Sequence, residues 1–450
     1  MKRFLSTTVA LLTAGAMLTA CGGDAKDDET TKAGETTTTA TETTDAPAAE
    51  YPDLKGQTIN VAADWSGGEQ ANFEKVLEGF EKATGADVVY TSLGNNVATA
   101  LGTQIEGGKP PQVALIPQPG LMNQLAKDGS IKPLADDVLK TVNENYAQTW
   151  VDLGSYEGKT YGVWFKAANK STMWYNTGLY EDAGVTVPTT WDEFKTALGT
   201  LSDSGVAGIS IGADVGWPLT DWFENVYLRT AGPEMYDKLT NHEIPWTDPS
   251  VEVALTKLAE VWGDAKLIQA DGAQRTFPDT VTAVFGDNPA AATVYEGDFV
   301  AGNIKDQTSS VVGEDAKFYA FPAIDGSKPS VMGAGNVAVA FDDSEGTMAL
   351  MKYLASPEAA NAWIPLGGFT SPNKAADLKL YPDATALEIA TQLVEAEVFR
   401  FDMSDLVPSA FGGTEGQGMW QEFINFYKNP SDIKGAMDKL EAAAKAAYAG

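Results

Sequence analysis

Apolar positions along this chain alternate between two periods. Thr58 to Ala63 is a strand-like apolar run, and between Glu69 and Ala83 the residues Phe73, Val76, Leu77 and Phe80 recur at the spacing that gives a helix one apolar face. Gly85 stands just past that segment as a stop. Asp87 to Thr91 then reads as a strand, Val97 to Glu106 as a helix, and Gln112 to Ile116 as a strand closed by Pro117. Strand, helix, strand, helix, strand predicts a parallel α/β sheet. The alternation returns later, with helices expected at Asp192 to Ser202, Pro249 to Trp262, Pro357 to Ala362 and Ile433 to Tyr448. Strands are expected at Tyr161 to Phe165, Ala207 to Ile211, Ala291 to Tyr295, Phe318 to Phe321 and Asn336 to Phe341. At 450 residues the chain exceeds what one core supports, which predicts two domains.

The pattern breaks at the start. Lys2 and Arg3 precede an apolar run from Phe4 to Leu18, then Thr19 and Ala20, then Cys21, the only cysteine. The run is too short for the roughly 20 residues of a membrane span. With its charged start and small-residue end it reads as a signal peptide over 1–20, and the cysteine directly after it resembles a bacterial lipoprotein signal. That resemblance implies a lipid anchor on Cys21, two acyl chains giving stable attachment, and placement on the extracytoplasmic face of the cell membrane. Residues 21–52 are Thr, Glu, Asp, Ala and Gly with almost nothing apolar, a composition expected to stay disordered. About 30 residues of such coil would span about 30 Å, a tether for the globular body.

Charge narrows the partners. The chain carries 62 acidic against 31 basic residues, a formal charge of −31 that becomes −33 without Lys2 and Arg3. That balance argues against nucleic acid, whose affinity comes from Lys and Arg on phosphates. With one cysteine and one histidine, His242, the usual zinc clusters are out of reach, and no calcium-loop spacing occurs. No metal and no cofactor are expected. Gly208-Ile209-Ser210-Ile211-Gly212 matches the nucleophile-elbow pattern, but Ala213 to Pro218 is not expected to start a helix, and His242 follows in a polar loop. Gly107-Gly108-Lys109 lacks the earlier glycine of a phosphate loop. A glycosidase needs only two carboxylates, so among so many acids a hydrolase stays open as the alternative to a binding protein, as does a surface sugar sensor.

Eleven tryptophans stand mostly beside polar groups, as in Asp64-Trp65, Trp174-Tyr175-Asn176, Trp217-Pro218 and Asp221-Trp222. Most should pack in the core. The remainder suit a concave site in which aromatic faces stack on sugar rings and a few placed polar groups take the hydroxyls.

The stretches GGKPPQVALIPQPGLM (Gly107 to Met122), VPTTWDEF (Val187 to Phe194), GWPLTDWFENVYLRTAGPEMYDKL (Gly216 to Leu239), YLASPEAANAW (Tyr353 to Trp363), GGFTSPNK (Gly367 to Lys374) and VFRFDMSDLVPSAF (Val398 to Phe411) carry a family resemblance. With them the chain is similar, from about Thr58 to Phe426, to extracellular solute-binding proteins (family 1) of carbohydrate ABC importers, within the α-glucoside group. The resemblance implies an α/β, two-lobe periplasmic-binding-protein-like fold that closes on its ligand by a hinge. The lobes would be 53–165 plus 293–341 and 166–292 plus 342–450. It implies a monomer without catalytic activity that passes an α-linked di- or oligosaccharide to permease subunits served by a cytoplasmic ATPase. Thr190 and Ser356 would cap helices.

Ligands of open α/β sheets sit at the carboxyl ends of the strands. Asp64 and Trp65 follow the first strand, where Asp64 accepts hydroxyls and Trp65 stacks, or Ser66 to Glu69 simply starts the helix. Gln118 and Lys166 follow later strands. Trp217, Asp221 and Trp222 lie in the most family-specific stretch, with one tryptophan expected as a stacking platform. Glu296 and Asp298 flank Gly297 at a strand end, and Asn336 follows Gly333-Ala334-Gly335, where backbone can approach a ligand closely. Arg400, beside Asp402, either holds sugar hydroxyls or pairs with an acid. Asn95 and Phe369 complete the set.

Overall fold

The strands, in the computed structural model, which describes residues 51–449, are β1 Thr58–Ala63, β2 Asp87–Ser92, β3 Val113–Ile116, β4 Ser155–Tyr156, β5 Lys159–Thr160, β6 Gly162–Asn169, β7 Thr172–Asn176, β8 Ala207–Ser210, β9 Ala291–Glu296, β10 Ala316–Ala320, β11 Val331–Ala340 and β12 Phe399–Phe401. The expected signal peptide, Cys21 and nearly all of the tether lie outside the described residues. β1 runs parallel to β2 and β3, and the apolar run of β3, Val-Ala-Leu-Ile, is buried throughout. The early alternation of strand and helix thus closes into the expected parallel unit. The helix after β1, Gly67–Thr84, buries Phe73, Val76, Leu77 and Phe80, and Gly85 ends it in the left-handed conformation that glycine enters without a Cβ penalty.

Two main sheets form among the described residues. One has the order β12-β11-β3-β1-β2 with β6 added on β11; the other runs β10-β7-β9-β8. Each owns a core. The first gathers Trp65, Phe73, Trp164, Phe165, Trp363 and Phe369; the second gathers Trp191, Trp222, Phe223, Tyr227 and Trp246, with a smaller cluster around Trp174, Phe277 and Val284 on its flank. The chain passes from one sheet to the other between β6 and β7, back between β10 and β11, and across again after β12.

That count corrects the lobe boundaries expected from sequence. β9 and β10 pair with β7, so 291–320 belongs to the second lobe. The helices Glu345–Leu354 and Pro357–Trp363 bury Met348, Leu350 and Trp363 in the first core, so 331–401 returns to the first lobe. An apolar run reveals a strand but not its partner, and the antiparallel pairing of β7 with β9 and β10 is non-local.

Thr190 forms a reciprocal capping box with Glu193, and the Ser356 hydroxyl accepts from the Ala359 N–H, as expected of both. A second correction concerns 213–218. A helix does start there, Trp217–Thr230, with Pro218 in its first turn, where its missing N–H costs nothing, and left-handed Gly216 before it. Gly216 abuts the Trp420 backbone, leaving no room for a Cβ. The hydroxyl of Ser210 donates to Gln269 at 2.7 Å, and His242 lies 3.2 Å from Glu441, so these two groups are held by other partners.

Candidate functional site

A cavity of about 500 Å³ opens between the lobes, within the roughly 300–1,000 Å³ of small-molecule sites. The first lobe lines it from the carboxyl ends of its parallel strands: Asp64 and Trp65 after β1, Asn95 after β2, Gln118 after β3. Lys166 of β6 and Gly335 and Asn336 of β11 complete that wall. The second lobe supplies Asp214, Trp217, Phe277, Phe299, Asp405 and Trp420. The lobes also touch around the cavity. Asn96 Nδ2 donates to Glu415 Oε2 at 2.7 Å, Gln118 Nε2 to the Gly413 carbonyl at 3.2 Å, and Lys305 Nζ to the Leu366 carbonyl at 2.8 Å.

Two lysines organise the charge. Lys166 is buried against Glu69, with which it forms an ion pair, and its ammonium stands 5.7 Å and 5.1 Å from the ring centroids of Trp65 and Trp363. Beside it Asp64 Oδ1 accepts from Asn336 Nδ2 at 2.8 Å. Burial, and then repulsion from Glu69, push the Asp64 carboxyl up to about 7. The folded state therefore holds a proton on Asp64 that the unfolded chain, near the ordinary value of about 3.9, gives up. Stability from this group is complete below pH 4 and is lost as pH rises to about 7. Thermal melts of the solute-free chain between pH 4 and 8 should show Asp64→Asn losing less stability over that window than wild type; equal slopes would count against the raised value.

Lys170 lies on the first crossing between the lobes. Its ammonium is 2.6 Å from Asp402 Oδ2, 3.0 Å from Asp221 Oδ2 and 5.4 Å from the Trp217 centroid. Burial alone would lower the lysine, but Asp221 and Asp402 hold it well above its ordinary value. Asp221 belongs to the helix Trp217–Thr230, and one face of that helix fastens all three crossings. Asn225 Nδ2 donates to the Lys170 carbonyl at 2.9 Å, and its Oδ1 accepts from the Ser171 hydroxyl at 2.7 Å. Arg229 donates to the Ser330 carbonyl at 2.8 Å, before β11. Glu224 accepts from the N–H of Met403 at 2.6 Å, the N–H of Ser404 at 3.0 Å and the Tyr236 hydroxyl at 2.9 Å, just after β12. Asp221, Glu224 and Asp402 bring carboxylate oxygens within 4.8 Å of one another. Lys170, backbone N–H groups and the tyrosine hydroxyl already supply positive ends there, so this cluster has its own donors.

Of the residues expected at the cleft, Asp64, Trp65, Gln118, Lys166, Trp217, Asn336 and Asn95 line the cavity. Others stand elsewhere. Trp222 is in the second core, 4.7 Å from the Tyr295 ring, and Phe369 is in the first, 5.0 Å from the Trp363 ring, because their rings complete apolar clusters that the loop positions did not reveal. Asp221, Asp402 and Glu296 are buried behind the wall around Lys170, and Asp298 is buried with an oxygen accepting from Thr370. Arg400 takes the second of its two expected roles, gripping Asp237 at 2.5 and 2.8 Å. Lys170, Asp214, Phe277, Phe299, Asp405 and Trp420 line the cavity as well, none of them expected there from sequence. Lys170 had a signal, standing four residues after Lys166 beyond the same strand.

The family model described as bacterial extracellular solute-binding protein matches residues 63–361. The chain is 36% identical over 363 residues to the osmoprotective compounds-binding protein GgtB of Synechocystis sp., covering 78% of this chain and 85% of that one. It is 33% identical over 408 residues to the alpha-glucosides-binding periplasmic protein AglE of Rhizobium meliloti, covering 86% and 87%. Among solved structures it is similar to the bacterial solute receptor AcbH, with a TM-score of 0.76, 20% identity and coverage of 87% and 99%. A chitin oligosaccharide binding protein gives a TM-score of 0.75, also at 20% identity and with the same coverage. These two likenesses show the shared two-lobe α/β fold.

Proposed function

The chain belongs to the bacterial extracellular solute-binding protein family, and on that premise we propose that it captures an α-glucoside or a related small polyhydroxylated solute and passes it to the permease of an ABC importer. The observation that carries this reading is the interlobe cavity itself. It combines an aromatic surface at Trp217, Phe277 and Phe299 with convergent acceptors and donors at Asp64, Gln118, Lys166, Asn336 and Asp405. Aromatic faces stack on the C–H faces of sugar rings and carboxylates and amides take hydroxyls, the composition of an orienting, mostly preformed small-molecule site. Asp64, Trp65, Gln118, Lys166, Trp217 and Asn336 are the assigned contacts, and Asp221 and Asp402 act through Lys170. The relative named for alpha-glucosides supports a neutral, hydroxyl-rich solute, and the one named for osmoprotective compounds keeps such compounds in the set to be tested. A neutral solute also fits a cavity wall whose two lysines are already paired, Lys166 with Glu69 and Lys170 with Asp221 and Asp402. An anionic sugar would meet that wall at a disadvantage.

Capture would shift an existing open–closed equilibrium, because the solute touches both lobes only when they meet. Isothermal titration of the chain with maltose, trehalose, sucrose, isomaltose, maltotriose and glycine betaine tests the assignment, each mixture also being assayed for cleavage. Binding of one α-glucoside without turnover is the expected result. Turnover would put the hydrolase first; no binding across the set would point to a different solute.

We further propose that the protein works as a monomer held at the membrane by a lipid on Cys21, the cysteine that directly follows the basic start, apolar run and small residues of 2–20. Replacing Cys21→Ala should release the protein from the membrane fraction and lower sugar uptake by intact cells. Unchanged membrane retention would overturn the anchor.

A further inference from the structure

The cavity and the crossings share the group around Lys170. Lys170 and Asp402 lie on crossings, whereas Asp221 and Glu296 belong to the second lobe, so a change of lobe angle that turns the chain at Lys170 or Asp402 alters the distances among them. The donors are few. Asp402 accepts from Lys170, the Ser404 hydroxyl and the Asp405 N–H, and Asp221 shares the same ammonium. Glu224 takes the two N–H groups and the tyrosine already described. Glu296 is 1% exposed, and its carboxyl meets that of Asp221 with no other donor on it, so the two pair only when one of them carries a proton. The charged groups facing it are Asp221, Asp402 and Lys170. Asp405 faces Asp402, Lys170, Asp221 and Asp64, and it lines the cavity. The neighbouring Arg229 is engaged by Asn225 and by backbone carbonyls.

One ammonium cannot balance the five buried carboxylates Asp221, Glu224, Glu296, Asp402 and Asp405. An unpaired buried charge is costly enough that such a group keeps its proton instead. In keeping with this, burial drives Glu296, Asp221, Glu224 and Asp405 well above the carboxylate range, and burial would raise Asp402 too, but Lys170 and the hydrogen bonds to it hold it below.

We propose that solute capture by this protein is proton-linked: closing the lobes assembles the carboxylates around Lys170 and takes one proton from solvent onto Glu296, and opening returns it. The proposal rests on the reading of the cavity as a solute site, but its test needs no solute. Ionisation at high pH sets Glu296, Asp221, Asp402 and Asp405 against one another, and the separation that relieves this is a wider lobe angle with water at Lys170 and Asp405. Protons therefore favour the closed form.

Small-angle X-ray scattering of the whole solute-free chain between pH 5 and pH 9 should show the radius of gyration rising with pH. Glu296→Gln, a neutral isostere, should hold the compact radius across the range, with circular dichroism confirming that it folds. Should it fail to fold, Asp405→Asn should move the midpoint of the transition to higher pH. A wild-type radius that stays flat, or a variant that follows the wild-type profile, overturns the proposal. With whichever sugar of the titration set binds, affinity should fall up to about tenfold per pH unit in wild type over the linked range, and stay level in Glu296→Gln. Absence of binding by every sugar would count against the solute assignment alone, because the scattering result stands without it.

Discussion

Trp217→Ala is expected to weaken sugar binding by roughly 30- to 150-fold while the protein stays folded. The ring is half-buried in the cavity wall, held edge-on by Phe277 at 5.3 Å and Phe299 at 6.1 Å between centroids. Trp65 and Trp420 also line the cavity but are nearly inaccessible, at 3% and 6% exposed, so Trp217 keeps the most ring surface for a ligand. An aromatic anchor in a desolvated pocket is worth about 2–3 kcal/mol when truncated, which is the stated fold-change. The Lys170 ammonium over the same ring adds a second effect. Its removal frees the lysine from one of its contacts and loosens the wall. Trp217→Phe keeps a flat apolar face, so titration should find it between wild type and alanine. Equal affinity for all three would show that the sugar does not stack there.

Much of the first lobe is legible because its signals are local. The helix over 67–84 carries its stripe, its stop and its buried face within one segment, and β1 and β3 are short apolar runs, separated by helices and the more exposed β2. The rule that ligands gather at the carboxyl ends of parallel strands then finds Asp64 and Gln118, whereas Lys166 and Asn336 stand within the antiparallel pair of β6 and β11, the latter marked in sequence by the glycines before it. The second lobe supplies its wall from loops around antiparallel and mixed strands, to which that rule does not apply. Phe277, Phe299, Asp214 and Trp420 stand there without a pattern in the sequence.

The helix Trp217–Thr230 is the most instructive case. Every residue from Pro218 to Arg229 is buried, so no apolar stripe marks it. Its Asp221, Glu224, Asn225 and Arg229 look in sequence like a solvated face. In the fold they form the fastening for three crossings, which follows only once the two sheets and their order are known. The same lack of long-range information explains the misplaced lobe boundaries, since β9 and β10 read as strands wherever their partner lies.

Glu224→Ala should destabilise the protein by about 3–5 kcal/mol, the largest loss expected from one substitution on that helix. The carboxylate is fully buried and receives the N–H groups of Met403 and Ser404 and the hydroxyl of Tyr236. Each buried donor left unpaired costs about 1–3 kcal/mol. The three are not independent, so the total stays below their sum. Tyr236 retains its second acceptor, the Phe401 carbonyl at 3.0 Å, which makes the two backbone N–H groups the main loss. Glu224→Gln keeps one accepting oxygen and should lose roughly half as much. Urea unfolding of the three proteins measures both values. Because Met403 and Ser404 follow the third crossing directly, the weakened contact also frees the hinge, and hydrogen exchange at 402–406 should rise in the alanine variant before global unfolding. A loss below 1 kcal/mol would mean that water replaces the carboxylate, and that the helix face does not fasten this crossing.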